Sequence, residues 1–180
     1  MGRTVAALRG DNELWLGLAL MSGHFDELSV PALAGVFEAI STEVNRPDLW
    51  SGFSASIQAA EALDDLRVLR KELLKAQGLH NLVVPVWCEM ELIGLVEAWA
   101  KGASWSDLIA NTSLDEGDVV RIMRRTIDLL AQVPYCELIS DRLRKNAFKA
   151  LKAINRFPVC EIENFFTEHS ENKSNPNLAI

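Results

Sequence analysis

Three arginines stand close together at positions 121, 124 and 125, inside "SLDEGDVVRIMRRTIDLL" (residues 113–130). A guanidinium is a permanently charged planar fork that grips two phosphate oxygens and also stacks on a base, so the cluster suits a phosphate-contacting face. On a helix turning about 100° per residue, Arg121, Arg124, Arg125, Asp128 and Gln132 fill one arc. Val119, Val120, Ile122, Met123, Ile127, Leu129 and Leu130 fill the opposite arc. Arg121 and Arg125 are i,i+4 neighbours and repel each other unless something anionic lies nearby. Asp128, four residues beyond Arg124 and three beyond Arg125, offers part of that negative charge. A solvated basic face balanced by carboxylates elsewhere fits the same pattern.

Other chemistry has weaker support. Glu89, Glu91 and Glu97 are the candidates for paired acid–base carboxylates, but Glu91 and Glu97 are six residues apart and do not share a helix face. They are expected at solvated edges. Ser104, Ser106 and Ser113 read as helix-start residues rather than nucleophiles, because no histidine lies near them. His24, His80 and His169, with Cys88, Cys136 and Cys160, lack the spacing of a metal site, and none is expected. The odd cysteine count without a CxxC pair fits buried thiols in a reducing compartment. Trp15, Trp87, Trp99 and Trp105 lie on apolar faces and read as core. Trp50, in the loop "RPDLWSG", could instead dock on another domain.

The elements that must carry these residues are helical almost throughout. "NELWLGLALMSG" reads as a short apolar helix stopped by Gly23, and Ser29 caps the next, with Pro31 in its first turn. A long amphipathic helix is expected over 54–77, its stripe formed by Leu63, Leu66, Leu69 and Leu73. "LVVPV" reads as an extended linker, because Pro85 interrupts it. "WCEMELIGLVEAWAKG" reads as a central buried helix ended by Gly102. Ser104 with Asp107, and Ser113 with Glu116, look like capping boxes opening two further helices. Pro134 ends the arginine helix, and a last helix spans 136–155 until "RFPV" breaks it. The fold class is therefore all-α: a bundle of six to eight helices over 1–160, with no functional sheet and a polar tail over 161–180, partly disordered. Helix, glycine turn, short helix, turn and longer helix in sequence are helix-turn-helix-like, which keeps a nucleic-acid-binding regulator in view. Against it stand Asp115, Glu116 and Asp118, carboxylates where a recognition helix meets base edges and phosphates.

Over 180 residues the net charge is -7 and the pI near 5.0, which disfavours a free-standing nonspecific nucleic-acid binder. The charge is polarised: residues 121–156 are mostly basic and the first fifty mostly acidic. No apolar run is long enough for a membrane span, and "MGRTVAALRGDNELW" lacks the core of a signal peptide, so a cytoplasmic location is expected.

Several separated stretches together resemble one family. "GHFDELS", "AWAKGAS" and "EGDVVRIMRR" occur in the order found in the C-terminal (DSHCT) domain of superkiller-type DExH-box RNA helicases, and the likeness runs over about 2–155. "STEVNRPDLW" with "RFPV" is similar to cyanobacterial and chloroplast members. The resemblance implies a helical bundle packed on two motor domains, with a ratchet helix lying across the path of single-stranded RNA and holding it weakly. Carried over, Arg125 matches the family's RNA-contacting arginine and Asp128 a position often occupied by glutamate on the same face. Arg121 matches an arginine one turn earlier, Arg124 shares that face, and Glu43 is a further candidate. ATP and Mg belong to the motor domains in this reading. The chain has neither a GxxxxGK[ST] loop nor a DExH box, so it is expected to have no ATP chemistry of its own. Its start, internal to longer chains in relatives, is expected to mark a gene fragment, a split subunit or an excised piece. A protein-only interaction module is the third possibility.

Overall fold

Apolar segments punctuated by glycine, serine and proline become seven α-helices in the computed structural model, which describes residues 14–41, 50–76 and 90–156. In chain order they are α1 (Leu14–Met21), α2 (Val30–Ser41), α3 (Ile57–Ala76), α4 (Met90–Lys101), α5 (Trp105–Ala110), α6 (Glu116–Leu130) and α7 (Asp141–Ile154). A 3-10 turn, Val133–Tyr135, joins α6 to α7. Among the described residues there is no strand, only an isolated bridge between Ser51 and Thr112, so the all-α expectation holds. None of the described helices is long and apolar enough to cross a membrane.

The central element is α2, which packs against α3, α4, α6 and α7. Its composition explains the position: Ala32, Leu33, Ala34, Val36, Phe37 and Ala39 are all fully buried, so no face of the helix is left for solvent. Ser29 caps it as expected, its Oγ accepting from Ala32 N at 3.4 Å. Across from it, α4 contributes Leu92, Ile93, Leu95, Val96 and Trp99 to the same core. Each such side chain removed from water is worth about 1.5–3 kcal/mol, which outweighs the weak intrinsic preferences of these short helices. Gly94 is needed for closeness: a Cβ there would lie 2.6 Å from the backbone carbons of both Phe53 and Ser54, which cross α4 at this point. Gly23 and Gly102 end α1 and α4 with φ of +78° and +111°, conformations that side chains disfavour.

Several expectations need correction. Glu97 is no solvated edge; only 1% of it is exposed. Its Oε1 accepts from Ser56 N at 3.1 Å and Ser56 Oγ at 2.8 Å, and its Oε2 pairs with Lys101 Nζ at 3.2 Å. The carboxylate thus sits at the start of α3, where free N–H groups and the positive helix end favour an anion. The long helix α3 starts three residues later than the pattern suggested, after Ser56, whose Oγ accepts from Ala59 N. The last helix starts at Asp141, not near Cys136, because Ser140 caps it and residues 133–135 take up the 3-10 turn. Ser113 does not cap α6. Asp115 does, accepting from Asp118 N at 2.7 Å, while Ser113 Oγ is taken by Trp50 N at 2.6 Å. Ser104 caps α5 as expected. "LVVPV", Trp87, Glu89, Glu43, Cys88, Cys160, His80, His169 and the tail lie outside the described residues, as do the side chains of Trp15 and Glu91.

Candidate nucleic-acid interface

The helix α6 owes its orientation to a clean division of its surface. Val119, Val120, Ile122, Met123, Leu129 and Leu130 are buried against α2 and α7, and Ile127 is half-buried. Thr126 is buried too, with Oγ1 donating to the Ile122 carbonyl at 2.9 Å and lying 3.5 Å from Ser41 Oγ at the end of α2. This inner face fixes the outer one, where Arg121, Arg124, Arg125 and Asp128 are all exposed. The four residues singled out from sequence therefore share one solvent-facing surface, and none of the three guanidiniums is buried in the bundle.

The charges on that surface are not equivalent. Arg121 is bonded to Asp118, three residues back on the same helix, with its side chain still 63% exposed. Asp118, not Asp128, supplies the nearby negative charge. Arg125 has no carboxylate within ion-pair distance among the described residues, and the same is true of the Asp128 carboxylate toward a cation. The Asp128 carbonyl accepts from Gln132 Nε2 at 3.1 Å. Arg125 is thus the guanidinium most open to an incoming phosphate.

The first turn of α6 carries Asp115, Glu116 and Asp118. These stabilise the helix through its macrodipole and the cap. They also oppose the N-terminal insertion by which a helix-turn-helix protein reads base edges. Beside this turn Trp50 is 56% exposed, its backbone clamped by Ser113 N at 2.8 Å to Trp50 O and by Thr112 Oγ1 at 2.8 Å to the same carbonyl.

Three further arginines of 121–156 are engaged with the rest of the chain. Arg144 turns inward and donates to the carbonyls of Pro134 and Cys136, satisfying the 3-10 turn. Arg156 stacks 4.0 Å over the Trp99 ring and donates to the Trp99 and Ala103 carbonyls, and Trp99 Nε1 donates to Ile154 O at 2.8 Å. Arg142 reaches Glu27 at 2.5 Å. These three hold the fold. Trp99 and half-buried Trp105 pack edge to face, 6.0 Å between ring centres, as core residues. Among the described residues no group of three or more His, Cys, Asp or Glu could hold a metal ion.

A family model, the DSHCT (NUC185) domain, matches residues 1–161. The chain belongs to the DSHCT family. This DSHCT domain is 36% identical over 166 residues to the chloroplastic DExH-box ATP-dependent RNA helicase DExH15 of Arabidopsis thaliana, a match covering 90% of the chain and 14% of that protein. It is 24% identical over 172 residues to the exosome RNA helicase MTR4 of Homo sapiens, covering 93% of the chain and 15% of that protein. The chain therefore spans about one seventh of the length of either relative. It is a helicase-associated domain of the kind carried by DExH-box RNA helicases, not a motor domain.

Proposed function

We propose that this DSHCT domain guides single-stranded RNA, with the outer face of α6 as its ratchet surface and ATP hydrolysis left to motor domains that bind ATP and Mg. The observation that carries the reading is the exposed Arg125, with no carboxylate in ion-pair distance among the described residues, on a helix whose inner face is locked into the core. Arg121, half-neutralised by Asp118, contributes a weaker contact one turn away, and Arg124 and Asp128 flank the strand. Modest affinity suits the task, because a strand that must slip past cannot be held by tight, base-specific bonds. Each phosphate contact contributes about 0.7 to the slope of log affinity against log salt on a single strand.

Titrating labelled single-stranded RNA and duplex DNA into the chain at low salt tests this reading. Weak, sequence-independent binding to the single strand is expected, reduced about tenfold by Arg125→Glu and less by Arg121→Glu. Preference for duplex DNA would favour the helix-turn-helix regulator instead. Absence of any nucleic-acid binding would leave a protein-interaction module.

A further inference from the structure

The strongest positive surface on the described molecule lies on α7, not on α6. In α6 three arginines meet Glu116, Asp118 and Asp128, so the helix is neutral overall. In α7 Arg142, Arg144, Lys145, Lys149 and Lys152 meet only Asp141, a net of +4 in a chain of net charge -7. Leu143, Ala147, Ala150 and Ile154 are buried against the core, which turns Lys145, Lys149 and Lys152 outward along one stripe at i, i+4 and i+7. That stripe runs about 10 Å along the helix. All three lysines are exposed, and among the described residues none has a carboxylate within ion-pair distance.

Like charges at this spacing cost a few tenths of a kcal/mol per pair on an isolated helix. The fold does nothing to relieve them, although it pairs Arg142 with Glu27 and turns Arg144 onto carbonyls. Phe148 stands beside the lysines, 54% exposed. It is one turn beyond Arg144, whose guanidinium holds the two carbonyls flanking Tyr135, itself 79% exposed. The α7 surface therefore sets cations with no carboxylate partner among the described residues beside accessible rings, the combination that binds single strands by phosphate attraction and base stacking. Uncharged apolar partners would not repay the desolvation of the lysines, whereas a polyanion with flat faces satisfies both features.

We infer that the outer face of α7 is a second contact for single-stranded RNA, with Lys145, Lys149 and Lys152 on the phosphodiester backbone and Phe148 stacking on a base. This rests on the reading of the domain as an RNA guide and adds a surface to it that α6 does not provide.

The test uses the 180-residue chain with fluorescently labelled single-stranded RNA, titrated by anisotropy at several salt concentrations, with thermal melting to check folding. Neutralising Lys145→Gln, Lys149→Gln and Lys152→Gln together should lower the slope of log affinity against log salt by about 2. Phe148→Ala should weaken binding at least about fivefold and leave that slope unchanged. Unaltered affinity and slope in both variants overturn the inference. So does an α7 variant that binds RNA normally but fails to associate with the motor portion of a helicase, which would make the face a protein interface. Arg121→Glu with Arg125→Glu, run in parallel, separates the two surfaces. Loss confined to that pair leaves α6 standing and removes α7, loss confined to the lysines does the reverse, and no RNA binding by the unaltered chain removes both.

Discussion

Helices α6 and α7 pack side by side on the same central helix, yet they treat their positive charges differently. On α6 the arginines share their surface with carboxylates of their own helix, and Arg121 is already bonded to Asp118. On α7 the lysines have no carboxylate partner among the described residues, while Arg142 pairs with Glu27 and Arg144 turns onto carbonyls. A few directional arginines among acids give contacts that form and release easily, whereas an unbalanced lysine stripe gives longer-range attraction without geometric demands. In the proposed reading this difference divides the labour: α7 gathers the strand and α6 positions it.

The largest effect should come from breaking a buried anchor of the bundle. Glu97→Ala leaves Ser56 without its acceptor and Lys101 without its partner, and should cost about 1.5–3 kcal/mol of stability, read by chemical denaturation. The RNA binding proposed for α6 and α7 should weaken in that variant in step with the unfolded fraction, and recover with it on lowering the temperature. A smaller effect sharpens the contrast from the α6 side. Asp118→Asn releases Arg121 and should tighten single-stranded RNA binding about two- to threefold, while costing a few tenths of a kcal/mol at the helix start. The same removal of acid has no counterpart on the lysine stripe of α7, where no carboxylate pairs with the lysines among the described residues.

The smallest effect concerns the joint between the two helices. Burial pushes the Cys136 thiol above its ordinary value of 9.0, and Arg144 pulls it only part of the way back. Below that ordinary value folded and unfolded chains both keep the proton, so the full stability is present. As pH rises past it the unfolded chain releases the proton first, and stability falls until the folded thiol also ionises. Cys136→Ala should flatten the alkaline loss of stability as pH rises above the thiol's ordinary value of 9.0, with the difference read from melting curves.

Much of this was legible in the residues before any coordinates. Caps and breakers marked α2 and α4, which are apolar on nearly every side, and helical periodicity marked the two-sided α6. The exposure of Arg121, Arg124, Arg125 and Asp128 followed from the same wheel. What escaped depends on distant partners. Glu97 looked solvated when weighed only against nearby carboxylates, since its acceptor role is set by Ser56, 41 residues away. Ser113 reads as the cap of α6 from its spacing to Glu116, but Asp115 takes that role, while Trp50, 63 residues back, claims the serine hydroxyl. The pairing of Arg121 with Asp118 is different, because its i,i+3 spacing on one helix is visible in the sequence itself. A count of basic residues could not tell Arg144 and Arg156, which satisfy carbonyls, from lysines that face water.

The most direct measurement is photo-crosslinking of a 4-thiouridine-substituted single-stranded RNA to the chain, with the attached peptides located by mass spectrometry. Crosslinks on the α6 peptide bearing Arg121 to Asp128 are expected, depleted by excess unlabelled single strand but not by duplex DNA, and abolished by Arg121→Glu with Arg125→Glu. Crosslinks that avoid α6 altogether, or that persist undiminished in the double variant, would contradict the assignment of that helix as the RNA-guiding surface.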